Sequence, residues 1–415
     1  MKKALLGAAA IYTAAHFYFS GVRQPLANFY GDFLASFPSW RLSVLFGRLD
    51  LYKGSLAEEW ALHFGGTHPL WHYGPVEHLV TLPLFAFGNL RSAYIAWLIA
   101  NYVFLIAIVA LAASVFKQRA LAVLAILNYG PLFEALTQRT IEIFELLLLF
   151  AAFALAQSSR ESSIESPSPP AKREKVPKAD EGVPSGVLIG FAAMTKFLPL
   201  IFIPYFALKR RTRTLTSAVI TIALIAVATQ VVFDWRYSGT VVQLRAGGMI
   251  SSVLDQSLAG MMRRVGAPEA LARVAILIAL ALLSWLFFRA RNCSSIEDLE
   301  WSTLIVAMVL LPPHNEQYYF VLLLFPYLAL AARELRRTEK WWLAISFVLT
   351  GTLIPLSLLS RLTGMNVFSV YLALGIPFVG AAILAALCVS GMSYAVLGAE
   401  QQCPSTTHSP TSPLS

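Results

Sequence analysis

What most constrains this chain is its succession of apolar runs, each near the ~20 residues that an α-helix needs to cross a bilayer. They fall at 4–22, 74–89, 91–115, 119–136, 139–157, 214–233, 269–289, 299–312, 317–332, 341–359 and 368–395. In hydrocarbon every backbone N–H and C=O must be satisfied within the protein, so such runs fold as helices. Composition agrees: of 415 residues, 57% are hydrophobic and 13% charged, against about 25% charged in soluble domains. The expected fold is an all-α polytopic membrane protein with roughly 10 to 13 transmembrane helices. The net charge is +9, but the basic residues sit in short clusters between apolar runs. That pattern belongs to loops on the cytoplasmic side, and it excludes a nucleic-acid partner. Cys293, Cys388 and Cys403 have no metal-ligand spacing and form no disulfide framework.

Charge also orients the chain. Lys2 and Lys3 precede the first run, which continues through Phe19 without a small-residue cleavage site, so it reads as an uncleaved helix leaving the cytoplasm. Basic clusters at Lys209–Arg213, Arg289–Arg291 and Arg333–Lys340 read as cytoplasmic. The first loop and the segments 234–268, 312–317 and 360–367 then share the outer face. The Lys117–Arg119 turn is basic too, and a cytoplasmic place for it would make 74–89 a re-entrant or interfacial segment. Residues 158–182, rich in Ser, Pro and mixed charge, read as a disordered cytoplasmic linker. Because Lys209 follows on the same side, 183–208 must enter and return, broken by Lys196 and Pro199 into two half-helices with Lys196 at the apex. A full helix with a snorkelling lysine is the alternative. The expected organisation is an N-terminal membrane half, 1–157, carrying the outer loop 23–75; the linker; a C-terminal membrane half, 183–395, carrying the outer loop 234–268; and a disordered tail, 396–415.

The long polar-aromatic loop after the first helix holds the leading candidate for chemistry. Segments 33–47 and 55–64 within it read as interfacial helices. Asp32, in Phe29-Tyr30-Gly31-Asp32-Phe33, offers a carboxylate base with room for close approach and aromatics to cover a sugar; a helix cap is the plainer reading. Lys196 is an ionisable group inside an apolar stretch, a functional candidate by its cost there and a cation suited to a lipid-linked phosphate. Arg263 and Arg264 suit the same phosphate, or lie solvated on an interfacial helix. Glu134, Gln138, Glu142 and Glu145 fall roughly on one helix face, with Arg139 in reach of Glu142. Tyr52, Tyr73, Gln138, Arg139, Asp255, Gln256 and His314 are candidates for binding sugar or acceptor; belt aromatics and structural pairs are their plainer readings. No cofactor is demanded and no metal-ligand set is present, though a divalent cation could serve.

In order, GDF, LDLY, WHYGP, TQRTIE, AMTKFLP, DQSLAGMMRR and LLPPHNEQYY resemble glycosyltransferase family 87, over about residues 4 to 330. These are the polyprenol-phosphate-mannose-dependent mannosyltransferases of the GT-C fold. The resemblance implies an inverting transferase of the cell (inner) membrane, with its active face outside the cytoplasm. Its partners would be a polyprenyl-phosphate sugar donor, a glycolipid or glycan acceptor and the lipid bilayer. It implies an acidic residue in the first outer loop, matched by Asp32, and a lysine-proline segment, matched by Lys196 to Pro199. Arg139-Thr140 and Asp255 depart from the family's usual residues and leave sugar and acceptor open. A secondary transporter, or a non-catalytic lipid- or glycan-binding membrane protein, is the alternative function.

Overall fold

Proline and glycine punctuate the helices. Proline lacks an N–H, so it is tolerated in the first turn of a helix, where that donor has no partner anyway. Pro75, Pro131, Pro184 and Pro377 each stand in a first turn. The computed structural model describes residues 2–27, 75–87, 90–138, 140–164, 182–233, 254–293, 296–312, 315–351 and 356–402. The proposed interfacial helices at 33–47 and 55–64 and most of the loop 234–268 lie outside these residues.

Among the described residues every regular element is helical. Helix α1 (Lys2–His16) continues as a π-helix through Phe17–Arg23 and ends in the turn Gln24–Ala27. Then come α2 (Pro75–Thr81, extended by a short 3₁₀ turn), α3 (Leu90–Phe116), α4 (Arg119–Asn128), α5 (Gly130–Gln138) and α6 (Glu142–Ile164). The second half has α7 (Val183–Lys196), α8 (Phe202–Leu208), α9 (Thr212–Phe233), α10 (Leu258–Arg264), α11 (Glu269–Arg289) and α12 (Glu297–Leu310). A 3₁₀ segment, Gln317–Leu323, leads into α13 (Leu324–Ala331). The chain closes with α14 (Arg337–Gly351), α15 (Leu356–Thr363), α16 (Val367–Ala373) and α17 (Ile376–Gln402).

Contacts fix the direction of each helix. Gly182 and Gly186 lie against Thr214, and Gly190 lies against Thr221. So α7 and α9 run parallel, and their starts are level. The chain reaches the start of α9 through α8 and the turn at Lys209–Arg211, so α8 must return to the level where α7 began. The segment 183–208 is therefore a re-entrant hairpin with Lys196 at its tip, as its broken sequence predicts. Pro199 explains the break: the residue before a proline is disfavoured in the helical region. Phe197 closes α7 with a left-handed φ of 64°. Fourteen helical residues rise about 21 Å, so the tip reaches deep into a layer about 30 Å thick.

The face holding the hairpin's two ends is here termed the near face. α6 ends there, in line with α3, whose Phe104 and Phe116 meet Phe144 and Phe153. Lys117–Arg119 accordingly lies on the near face, and α1 and α4 rise from it side by side, joined by Thr13 and Asn128. The first-half parity follows. The apolar run 74–89 is not a span: α2 and its 3₁₀ turn are too short, and Val76 packs beside Met194 and Ile225 near the hairpin tip.

Two apolar runs are interrupted where continuous helices were expected. The run 119–136 breaks at Tyr129, and 368–395 breaks at Gly375 (φ 65°). In the other direction, α6 continues to Ile164, inside the expected linker, and α17 continues to Gln402, inside the expected tail. Residues 165–181 and 403–415 lie outside the description. By length and apolarity, Arg91–Phe116, Glu269–Arg289 and Ile376–Leu397 can each cross a membrane alone; shorter apolar helices complete the layer. The protein is an all-α polytopic membrane protein.

Helix contacts explain the tightness of the hairpin. Gly182, Gly186 and Gly190 recur every fourth residue, which lets two backbones approach in an apolar solvent. A Cβ on Gly190 would stand 2.6 Å from Thr221 Cβ, and one on Gly186 would overlap Ser217 Oγ. At the near face the hairpin root is pinned by charge. Lys209 pairs with Glu300 at 2.6 Å and donates to Ala290 O and Cys293 O. Tyr205 donates to the other Glu300 oxygen at 2.9 Å, and Arg211 pairs with Glu297. Arg333 holds both oxygens of Asp298. The basic cluster at Lys209–Arg211, on the near face, is thus also the hairpin's anchor.

Candidate active site

Three features meet along one short stretch, 315–319, at the start of the 3₁₀ segment that follows α12. Asn315 joins the second outer loop, Gln317 lines a cleft, and Tyr318 and Tyr319 cover Lys196.

The buried ion pair at the hairpin tip comes first. Lys196 pairs with Glu142 at the start of α6, and both side chains are essentially inaccessible. Its ammonium lies 4.1 Å from the Tyr319 ring centroid and 5.0 Å from that of Tyr318, a cation–π arrangement. Glu145, one turn further on, is also fully buried, with Glu142, Lys196 and Thr195 as its neighbours. Two carboxylates here face one lysine among the described residues. Such a cluster is costly in a membrane, and removing one partner of a buried pair typically costs about 3–5 kcal/mol.

The polar residues around Gln138 do not share one helix face. α5 ends at Gln138, Thr140 N–H turns back to Ala135 O, and α6 begins anew at Glu142. The break sends Glu142 and Glu145 to Lys196, while Glu134 and Gln138 face a cleft of about 400 Å³ on the other side. There Gln138 Nε2 donates to Glu134 Oε1 at 3.0 Å.

This cleft opens beside the end of α1 and the α15–α16 corner, at the face opposite the hairpin root. His16, Ser20 and Gln24, spaced by four, line one wall along the π-helical stretch. The widened turns leave carbonyls that two tyrosines of α3 take up: Tyr102 donates to Gly21 O and Tyr94 to Pro25 O. Gln317 and Asn366 close the opposite wall. The side chains of His16 (5% exposed) and Gln317 (6%) are buried, and His16 Nδ1 and Gln317 Oε1 have no hydrogen-bond partner among the described residues.

The described end of the segment 234–268 is tied down by its polar residues. Asp255 accepts from Ser257 N at 2.9 Å and Asn315 N at 3.1 Å, and pairs with Arg263. Gln256 N donates to Asn315 O at 2.6 Å, and its Nε2 to Leu372 O at 3.1 Å. Ser257 caps α10, and Gly260 leaves the space that the Asp255 carboxylate fills. Arg264 donates to Leu372 O at 3.3 Å. Burial lowers the basicity of its guanidinium, against the pull of Asp255.

Lys196 and the paired arginines therefore belong to two clusters, bridged by residues 315–319, rather than to one phosphate pocket. Asp255 and Gln256 join loop to turn, and Gln138 lines the cleft. Asp32, Tyr52, Tyr73, Arg139 and His314 lie outside the described residues. Among the described residues no three His, Cys, Asp or Glu side chains gather as a metal site. His16 and Gln24 carry no sequence motif, and Gln317 lies in LLPPHNEQYY without being singled out there. A histidine and two polar residues at four-residue spacing in an apolar helix were the available signal for the first wall.

The sequence model of glycosyltransferase family 87 matches residues 71–313, more than half of the chain. The chain belongs to that family. The match contains the hairpin, both glutamates facing Lys196 and the Asp255–Arg264 segment; Asp32 and residues 315–319 fall outside it. No curated protein and no solved structure matches the chain. Membership makes this chain a glycosyltransferase, set here in an all-helical membrane fold.

Proposed function

We propose that the protein transfers a hexose, mannose first among the candidates, from a polyprenyl phosphate to a lipid-linked or periplasmic glycan. The fold would be of the GT-C type, the enzyme would sit in the cell (inner) membrane, and the active face would be the one opposite the hairpin root. The acceptor hydroxyl attacks the anomeric carbon, the bond from that carbon to the phosphate oxygen breaks, and the electron pair leaves with the lipid phosphate. Single displacement inverts the anomeric centre. Asp32 takes the hydroxyl proton, and Lys196 offsets charge on the departing phosphate. Lys196 would exchange Glu142 for a phosphate oxygen as the donor settles.

Family membership is the observation that carries this reading, and it favours transfer over transport. Chain connectivity supports the base: Asp32 is five residues beyond Ala27, a reach of at most about 18 Å from the cleft-side end of α1. The near-face clustering of Lys209, Arg211 and Arg333 supports the orientation. The test is a donor panel. Purified protein is given labelled polyprenyl-phosphate mannose, glucose or arabinose with a membrane glycan extract. Transfer of one hexose by the wild type, lost in folded Asp32→Asn, is expected. Full transfer in Asp32→Asn removes that residue as the base, and no transfer from any donor overturns the donor class.

A further inference from the structure

The cleft beside α1 lies on the face opposite the hairpin root, and no residue given a role in the reaction above lines it. We infer that it binds a neutral saccharide, one or two rings of the glycan that receives the sugar. The role as acceptor site rests on the transferase reading; the binding chemistry does not.

The lining selects the ligand class. Among the described residues it contains no lysine or arginine and one carboxylate, Glu134, which accepts from Gln138. Among these residues a phosphate or carboxylate ligand would find no lysine or arginine to pair with and would meet the Glu134 carboxylate. A neutral ligand is left, and the wall atoms ask for one with many hydroxyls. Gln317 Oε1 accepts, and His16 Nδ1 lacks a partner. Buried groups of this kind are costly if left unmade, and a hydroxyl can donate to one and accept from another. Gln24 and Asn366 add amides along the rim. Phe133 and Phe368 supply the apolar patches that the C–H faces of a sugar ring cover. The volume, about 400 Å³, lies at the small end of the range for small-molecule sites, about 300–1,000 Å³.

Position agrees with an acceptor. Gln24 stands at the end of α1, eight residues before Asp32. Gln317 is followed at once by Tyr318 and Tyr319, which cover Lys196. A ring in the cleft would therefore sit between the segment that carries the base and the one that covers the buried cation. His16 is held for this by packing, stacked on Tyr12 at 5.7 Å and edge-on to Phe133 at 4.9 Å.

The test uses the full chain in lipid nanodiscs. Methyl α-mannoside and methyl α-glucoside are titrated by saturation-transfer NMR, with mannose 1-phosphate as the anionic comparison. At least one neutral glycoside should bind, mannose 1-phosphate should bind no tighter, and Gln138→Leu or Gln317→Leu should weaken binding at least tenfold. Binding unchanged in both variants overturns the inference, as does a tenfold preference for the phosphate. Should those variants not fold, Ser360→Cys at the mouth serves instead. Neutral glycoside should slow its thiol labelling at least threefold, and no protection overturns the inference. Turnover separates the two proposals. If the wild type transfers hexose but cleft variants leave acceptor KM and glycoside binding unmoved, the cleft assignment falls and the transferase reading stands. If glycosides bind as expected and no polyprenyl donor supports transfer, the cleft assignment stands and the donor reading falls.

Discussion

The two ends of the re-entrant hairpin bury similar charges to opposite effect. At the root, Lys209 and Arg211 meet Glu300 and Glu297, two cations against two carboxylates, with Tyr205 and two backbone carbonyls completing the contacts. At the tip, Lys196 faces Glu142 and Glu145 under two tyrosine rings, one cation against two carboxylates among the described residues. The root is balanced and lies where water is close. The tip adds a second buried carboxyl group, Glu145, and lies deep in the layer. A buried charge that is fully matched fixes structure. Keeping a second ionisable group, Glu145, buried beside the pair at the tip is costly in a membrane, which argues for use.

That contrast can be broken by deletion. Lys196→Met leaves two buried carboxylates and should cost about 3–5 kcal/mol, read as a large drop in Tm in detergent. Lys209→Met should cost a similar amount. Pairing it with Glu300→Met should recover most of the loss, because a well-packed apolar pair often replaces a buried ion pair without penalty. A root double variant no better than its single would show that the charges there do more than anchor.

The helix contact between root and tip comes next in size. Gly186→Leu must push α7 away from Ser217 and Thr214, an overpacking cost of about 1–3 kcal/mol. Because α7 carries Lys196 at its end, transfer should fall further than stability. Equal losses in both would mean that the tip tolerates displacement. Smaller still, Phe197→Gly relieves a left-handed backbone, a strain of about 1–3 kcal/mol, and loses apolar contacts near Val76 and Met194. The net change in Tm should be within a few degrees. As a surface reference, Arg273→Ala breaks an exposed pair with Glu269 and should move stability by less than about 0.5 kcal/mol.

The hairpin was legible in the sequence because charge and proline are strong signals: Lys196, Pro199 and Lys209 allow few other paths. The polar row from Glu134 to Glu145 was misread as one face. Its spacing is helical, and the turn at Thr140, where an N–H reaches back to Ala135 O, leaves no mark in residue type. Asp255 and Gln256 looked like hydroxyl binders, whereas their partners, Asn315 and Leu372, lie 60 and 116 residues away and emerge only on folding. The cleft was hidden for the same reason. Its walls come from α1, α5, the 3₁₀ segment and the α15–α16 corner, and no single stretch carries enough of them to form a motif.

The most direct test of the account compares two folded double variants in one hexose-transfer assay with a labelled polyprenyl-phosphate donor. Lys196→Met with Glu142→Met empties the tip of its ion pair; Lys209→Met with Glu300→Met does the same at the root. The account predicts loss of transfer in the first and retention of most of it in the second. Equal transfer in both, or loss only in the root variant, would contradict it.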